Sequence, residues 1–161
     1  MSKLRGKWAS RVRERGQALI EFALVVPIFL ILVFGIVDFG MGLKAWITIT
    51  NAAREGARVG AIHASAGTGG TFASPTACSG VDEDADPATV ASRGCTTAAA
   101  LEKDQVMLGV DGADPTGLNP GGSVKVKVTY DYEYITPLGN FIGSLAGGPL
   151  HMETSADMRL E

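Results

Sequence analysis

The chain has 161 residues, 46% of them hydrophobic and 19% charged, with a formal net charge of −3. This length has room for one membrane helix and at most one small domain, which excludes a large multidomain protein. The charge is uneven: residues 1–16 hold six cations and one anion, a balance of +5, whereas the other eight cations and sixteen anions give −8.

A basic leader, residues 1–16, begins the chain. Such an arm can bind nucleic acid. Here, however, a long apolar run follows at once, and positive charges beside a membrane helix stay in the cytoplasm. We therefore expect a cytoplasmic leader, an exported remainder and no nucleic-acid partner.

The apolar run predicts a membrane span. Residues 22–37 contain no charge, and extension back to Ala18 gives twenty residues interrupted only by Glu21. At about 1.5 Å per residue, a helix of that length matches the roughly 30 Å hydrocarbon core of a bilayer. We predict a span over about residues 18–39. A cleavable secretory signal is the alternative, but its apolar region is shorter and ends at a small-residue cleavage site that this sequence lacks.

Beyond the span, residues 43–63 lack proline, and Ala52, Gly56 and Gly60 recur every four positions. Small residues at this spacing share one helix face and allow another helix to approach closely. We predict a single helix over residues 17–63, half of it outside the membrane. The alternative is a stretch that frays into a loop, because each glycine costs about 1 kcal/mol in an isolated helix.

Residues 64–161 predict a small exported domain. Its first part, residues 64–82, is rich in Gly, Ser, Thr and Ala, which is typical of a loop. A short helix is predicted from Asp86 to about Lys103, with Asp86 as the N-cap and Pro87 at the first helical position.

The two cysteines, Cys78 and Cys95, both lie in the part expected to be exported, where oxidation is permitted. We predict a disulfide between them, which would stabilise a domain with a thin core. Two unrelated thiols are the alternative.

Two later segments alternate apolar and polar residues, which predicts β-strands. The apolar positions are Val124, Val126, Val128, Tyr130, Tyr132 and Tyr134 in the first segment and Leu150, Met152, Thr154, Ala156, Met158 and Leu160 in the second. We expect these strands to pair antiparallel across a loop from Thr136 to Pro149, with a weaker third strand near residues 105–110. Packing of the sheet's apolar face on the exported half of the long helix predicts an α+β fold.

The junction of leader and helix carries the most informative chemistry. A carboxylate in hydrocarbon costs about 2.5 to 3.5 kcal/mol, so Glu21 needs a partner. If the chain is cut after Gly16, Gln17 gains an α-ammonium group one helical turn before Glu21. A basic leader, Gly at the cut, Glu at the fifth position after it and an immediate apolar helix form a prepilin-type processing site. The alternative is that Glu21 reaches the headgroup layer without any cleavage.

The stretch RGQALIEFALVVPIFLILVFGIVDFG, followed by TNAAREGAR, resembles the TadE-like family of the tight-adherence (Tad, or Flp-type) pilus system, and the final SADMRLE is similar to that family's last strand. The resemblance implies a minor pilin or pseudopilin, cut by a prepilin peptidase between Gly16 and Gln17, with Glu21 as the characteristic acid. It also implies a place in the bacterial inner membrane and, as partners, other pilins or pseudopilins and the Tad secretion machinery.

Other charged residues have two interpretations each. Asp38 either pairs with a cation of a neighbouring helix or marks the exit from lipid. Arg54, Glu55 and Arg58 form either intersubunit contacts or a solvated surface pair.

No catalytic, cofactor or metal site is predicted. His63 and His151, the only histidines, lie in unrelated contexts, and the chain has no nucleophile elbow or phosphate-binding loop. The acidic run over residues 82–86 lacks the spacing of a calcium loop and favours a solvated loop. We expect assembly rather than catalysis. The alternative is a membrane-anchored periplasmic binding module that never enters a fibre.

Overall fold

A computed structural model describes residues 5–64, 75–84, 89–111 and 123–159. Its first element is one continuous helix, α1 (Arg5–Ala64), of 60 residues. The helix ends one residue beyond the predicted residue 63 and begins twelve residues before the predicted residue 17. The described part of the leader is thus part of the same helix. Its Arg, Lys, Glu and Ala residues favour that conformation. Pro27 lies inside α1 without ending it.

Four strands form one antiparallel sheet in the order β1-β2-β3-β4. They are β1 (Thr76–Ala77), β2 (Val106–Asp111), β3 (Ser123–Tyr132) and β4 (Leu150–Arg159). The predicted antiparallel pairing of the two alternating segments is confirmed from Ser123 opposite Arg159 to Tyr132 opposite Leu150. The strand β3 ends before the predicted Tyr134, and Leu160 lies outside the described residues. The weaker third strand is confirmed as β2, whereas β1 was predicted as loop.

The short helix α2 (Val90–Thr97) begins later and ends earlier than predicted. Its N-cap is Thr89, not Asp86, which lies outside the described residues together with Pro87. Thr89 Oγ1 accepts a hydrogen bond from the Ser92 backbone N–H (3.1 Å), and Ser92 Oγ accepts one from the Thr89 N–H (2.9 Å). This reciprocal box satisfies two N–H groups that a helix start otherwise leaves unbonded, which explains why the helix begins there.

A third helix, α3 (Pro137–Ala146), occupies the connection that was predicted as a loop. Thr136 is its N-cap and accepts a hydrogen bond from the Gly139 N–H at 3.1 Å. Pro137 holds the first helical position, and Gly147 ends the helix with a φ of 105°, a left-handed conformation that glycine adopts without strain.

The core lies between the second half of α1 and the sheet, with α2 covering the helix from the side. Its buried members include Ala45, Ile49, Ala52, Ala53, Ala57, Val90, Cys95, Val106, Leu108, Val124, Val126 and Val128. The α+β fold is thus confirmed.

The strand β3 runs along α1, with its two ends beside different parts of the helix. Gly42 of α1 lies beside Tyr132, whereas Gly60 lies beside Val124. The end of the sheet with Tyr132 is therefore the end nearest the apolar run.

Candidate functional site

The predicted processing residues share one stretch of continuous helix. Gln17 Nε2 donates a hydrogen bond to Glu21 Oε1 at 3.2 Å, so both side chains lie on the same face, one turn apart. Gln17 and Glu21 are exposed, and Gly16 is partly exposed. A methyl group at Gly16 would meet no atom within 4 Å, so the surroundings of this residue are open.

The apolar run is uncovered by the rest of the chain. Most large apolar side chains from Leu19 to Phe39 are 42–74% exposed, and Val26, Val33 and Phe34 are partly exposed. The exposed ones are Leu19, Ile20, Phe22, Leu24, Val25, Ile28, Phe29, Leu30, Ile31, Leu32, Ile36, Val37 and Phe39. In the described part of the chain, one helix is long and apolar enough to cross a membrane, and none of its most apolar window is buried. Such exposure is costly in water and favourable in lipid, which indicates a single-pass membrane anchor.

Asp38, at the end of the apolar run, accepts hydrogen bonds from the segment just before α3 of the same chain. Its Oδ1 accepts the backbone N–H groups of Ile135 and Thr136, both at 3.1 Å, and its Oδ2 accepts the Thr136 hydroxyl. The Asp38 carbonyl oxygen accepts the Tyr132 hydroxyl at 3.2 Å. Burial raises the pKa of Tyr132, which keeps its hydroxyl a donor. These bonds tie the start of α3 to α1, a role that neither interpretation of Asp38 included.

Two glycines let α3 lie close against its neighbours. A methyl group on Gly139 would overlap the Asp38 carboxylate and lie 2.8 Å from Tyr134 Cβ, and one on Gly143 would lie 2.7 Å from the Tyr134 ring. A larger side chain at Gly139 would push α3 away from Asp38 of α1, and one at either position would push it away from Tyr134. The signal for this helix in the sequence is a Thr-Pro start with Gly at the end, although the segment was predicted as a loop.

The predicted small-residue face of α1 is buried inside the subunit. Ala52 is fully buried, and a methyl group on Gly56 would lie 3.4 Å from side-chain atoms of Val126 and Val90. At Gly60 the corresponding distance to Val124 Cγ1 is 2.9 Å. This face of α1 therefore packs against α2 and the sheet of its own chain.

Cys78 and Cys95 form a disulfide, with their Cα atoms 5.4 Å apart. It joins the short turn Cys78–Gly80, directly after β1, to α2. Both cysteines are buried in the core. The bond therefore holds α2 beside the edge of the sheet.

Glu55 binds two arginines from different elements. Arg58 Nη2 lies 2.7 Å from Glu55 Oε1, and Arg93 Nε of α2 lies 3.2 Å from the same oxygen. The hydrogen bond from Arg58 is the largest cause that lowers the pKa of Glu55, from 4.5 to about 2; burial opposes it, and the hydrogen bond from Arg93 and the charges of both arginines add to the lowering. This cluster joins α1 to α2, so at least part of the predicted charged group acts within the subunit.

The described residues include no group of three or more His, Cys, Asp or Glu side chains that could hold a metal ion. In the acidic run, Asp82 Oδ1 accepts the Asp84 N–H at 3.1 Å and Glu83 pairs with Lys103 at 2.6 Å; residues 85 and 86 lie outside the described part. His151 pairs with Asp131 on the sheet surface. The side chain of His63 is also outside the described part.

The fold and these sites define a class of protein: a chain with one exposed apolar helix that can anchor it in a membrane, and a small disulfide-linked α+β domain on the second half of that helix. The TadE-like protein family matches residues 16–58. The predicted resemblance is therefore confirmed from Gly16 to Arg58, over 43 of the 161 residues. A TadE-like segment implies a protein associated with the Tad pilus. Comparisons with curated proteins and with solved structures gave no match.

Proposed function

We propose that this chain is a pseudopilin or minor pilin that takes part in the assembly of a Tad pilus after a prepilin peptidase cuts between Gly16 and Gln17. One observation carries the proposal: the sequence Gly-Gln followed by Glu21 lies at the start of a helix whose most apolar window has no buried residue, with the folded domain on the second half of the same helix. The helix is thus available to lipid before assembly and to other helices after it.

Cleavage would change the charge balance at the junction. It removes the cations of the leader and leaves an α-ammonium group on Gln17, whose side chain already lies beside Glu21. That ammonium, from the same subunit or from a neighbour, offsets the carboxylate in an apolar setting. The small-residue face is occupied by the chain's own domain, so contacts between subunits use other surfaces, above all the exposed apolar run.

The first experiment measures the intact mass of the membrane-bound protein in cells with and without the prepilin peptidase. We expect loss of residues 1–16 only when the peptidase is present. Gly16→Leu should block the cut, because the residue at the scissile bond changes while its surroundings remain open. Gly40→Leu is the matched control, since Gly40 is also helical with no atom within 4 Å of an added methyl. A mature protein that still begins at Met1 would overturn the processing step.

The second experiment tests assembly. Glu21→Gln and Glu21→Leu should leave membrane insertion intact and reduce the number of pili, because each variant lacks the charge that the new α-ammonium group would meet. Glu14→Gln is the control, since it removes the leader's single anion, which lies before the cut. Normal piliation in both Glu21 variants would count against the proposal.

A second candidate function is a membrane-anchored periplasmic binding module outside any fibre. The observation that favours it is an apolar groove of about 700 Å³ between α1, α3 and β4, lined among others by Phe39, Trp46, Leu138, Ile142 and Leu150. This candidate predicts a full-length mass in the first experiment and normal pilus numbers in both Glu21 variants in the second, so the two experiments separate it from the first candidate.

A further inference from the structure

The helix α3 lies at the membrane-proximal end of the domain. Contacts along α1 run from Gly42, beside Tyr132 and Met152, to Gly60, beside Val124. The connection between β3 and β4 therefore faces the apolar run, and α3 forms most of that connection. Asp38 fixes its first residues directly at the end of the run.

The polarity of α3 is the reverse of that of a helix on a water-facing domain. Its side that packs inward carries Gly139 and Gly143, whereas Phe141, Ile142 and Leu145 are 65%, 51% and 82% exposed. A soluble domain normally buries its large apolar side chains and exposes polar ones. In addition, the sixteen residues from Ile135 to Leu150 contain no charged residue.

The exposed side of α3 is continuous with the apolar surface of α1. Gly35 and Phe39 of α1 line the same groove as Leu138 and Ile142 of α3. Phe39 is 74% exposed on one side of that groove. The groove also holds Asp38, whose carboxylate is bonded to residues 135 and 136, and His151 and Glu153 of β4, but its surface is mostly apolar. Lipid that surrounds the apolar run therefore meets α3 along an apolar surface, and this continuity favours a bilayer as the surface that covers α3.

We propose that α3 is an interfacial membrane-binding helix, which inserts Phe141, Ile142 and Leu145 into the surface of the bilayer on the side that holds the domain. The domain then contacts the membrane at two places, through α1 and through α3. The hydrogen bonds between Asp38 and residues 135–136 join the two and so set the angle of the domain on the membrane. The proposal rests on α1 crossing the bilayer, and it requires neither cleavage nor a pilus.

The test places a tryptophan on α3 of the full chain in phosphatidylcholine vesicles. Trp8 and Trp46 are first replaced by Phe, and Phe141→Trp then introduces the reporter. Its fluorescence is measured with lipids that carry bromine near the headgroup end or near the tail end of the acyl chains. Leu145→Trp is a second reporter at a more exposed site, in case the first variant folds poorly. Near-ultraviolet circular dichroism of the sheet tyrosines checks the fold of each variant.

Two further tryptophan reporters serve as controls, one expected outside the bilayer and one expected within it. Ile62→Trp lies on α1 at the other end of the domain and is 54% exposed at the native side chain. It is 24 residues beyond Asp38, about 36 Å along the helix. Phe29→Trp lies within the apolar run and shows independently whether α1 crosses the bilayer.

We expect the α3 reporter to be quenched at least about two-fold more than the Ile62→Trp control, and more strongly by bromine near the headgroups than by bromine near the tail ends. An α3 reporter that responds like the Ile62→Trp control, while Phe29→Trp is quenched, would overturn the proposal. A reporter that is shielded from water but unquenched, and that becomes exposed when the protein is diluted in lipid, would overturn it in favour of a second copy of the chain. Lack of quenching at Phe29→Trp would show that α1 does not cross the bilayer, and the proposal would then fail because it rests on that anchor.

Discussion

Asp38 and Thr136 are 98 positions apart in the chain, yet the carboxylate of Asp38 accepts both the backbone N–H and the hydroxyl of Thr136. Thr136 is the N-cap of α3, so the acid lies where a helix start carries partial positive charge. The same acid ends the apolar run of α1. One side chain therefore positions the domain relative to the part of the protein that enters the membrane.

Removal of this acid should weaken the fold. In Asp38→Ala the N–H groups of Ile135 and Thr136 lose their acceptor, and we expect the free energy of unfolding to fall by about 1–3 kcal/mol. The measurement is a urea titration of the full chain in detergent micelles, followed by near-ultraviolet circular dichroism of the tyrosines. Asp38→Asn, which keeps one acceptor oxygen, should lose less.

Asp82→Asn is the control for this experiment, because Asp82 is an exposed acid that accepts one local N–H. It should change stability by no more than about 0.5 kcal/mol. Equal stability of Asp38→Ala and Asp82→Asn would contradict the role of Asp38.

Gly60→Ala should destabilise the contact between α1 and the sheet. The added methyl would lie 2.9 Å from Val124 Cγ1 and 3.2 Å from Val90 Cγ2, closer than carbon atoms pack, so one of these elements must shift. We expect a loss of about 1–3 kcal/mol relative to Gly40→Ala, a helical glycine with open space around it. Urea titration of both variants measures the difference, and identical midpoints would show that the helix and sheet are less tightly packed than the structure has them.

Reduction of the disulfide between Cys78 and Cys95 should lower stability without abolishing the fold. The cysteines are 17 positions apart. In the chain-entropy view, closing a loop of that size stabilises the folded state by about 3 kcal/mol. Thermal unfolding with and without reductant measures the loss. The double variant Cys78→Ser/Cys95→Ser should show the reduced value under both conditions, and a wild-type protein indifferent to reductant would disprove the prediction.

Glu55 should make stability depend on acid pH. Its pKa is lower in the folded chain, about 2, than its ordinary value of 4.5, so the folded state favours the ionised form. The resulting stabilisation is complete above pH 4.5 and is lost as the pH falls from about 4.5 to about 2. The urea midpoint of the wild type should therefore fall more steeply over this range than that of Glu55→Gln.

The control for this titration is Glu153→Gln, which removes an exposed carboxylate paired with Lys127 at 2.9 Å. It should keep the steep acid dependence of the wild type. Because Arg58 and Arg93 are about half exposed, added salt should reduce the effect of Glu55. Parallel curves for the wild type and Glu55→Gln would show that the arginines do not hold this carboxylate in solution.

Local pattern alone determined much of this protein. The uncharged run before Asp38 predicted the anchoring helix, because a bilayer selects for length and hydrophobicity and for little else. The alternation from Val124 onward predicted β3 and its partner β4, because a strand with one buried face must place apolar residues at every second position. The pair Cys78 and Cys95 predicted the disulfide, since the chain has no other cysteine.

Only the tertiary structure decided what the small and charged residues meet. The spacing of Ala52, Gly56 and Gly60 predicts that another element packs closely on this face of α1. The spacing is the same whether that element is a helix of another subunit or the chain's own sheet. Likewise, the sequence does not indicate that Asp38 contacts Thr136, because contacts between residues so far apart depend on how whole elements pack. The helix α3 has apolar residues at the spacing of one helix face, Leu138, Phe141, Ile142 and Leu145, but only the tertiary structure decided that most of this face points outward and not into the core.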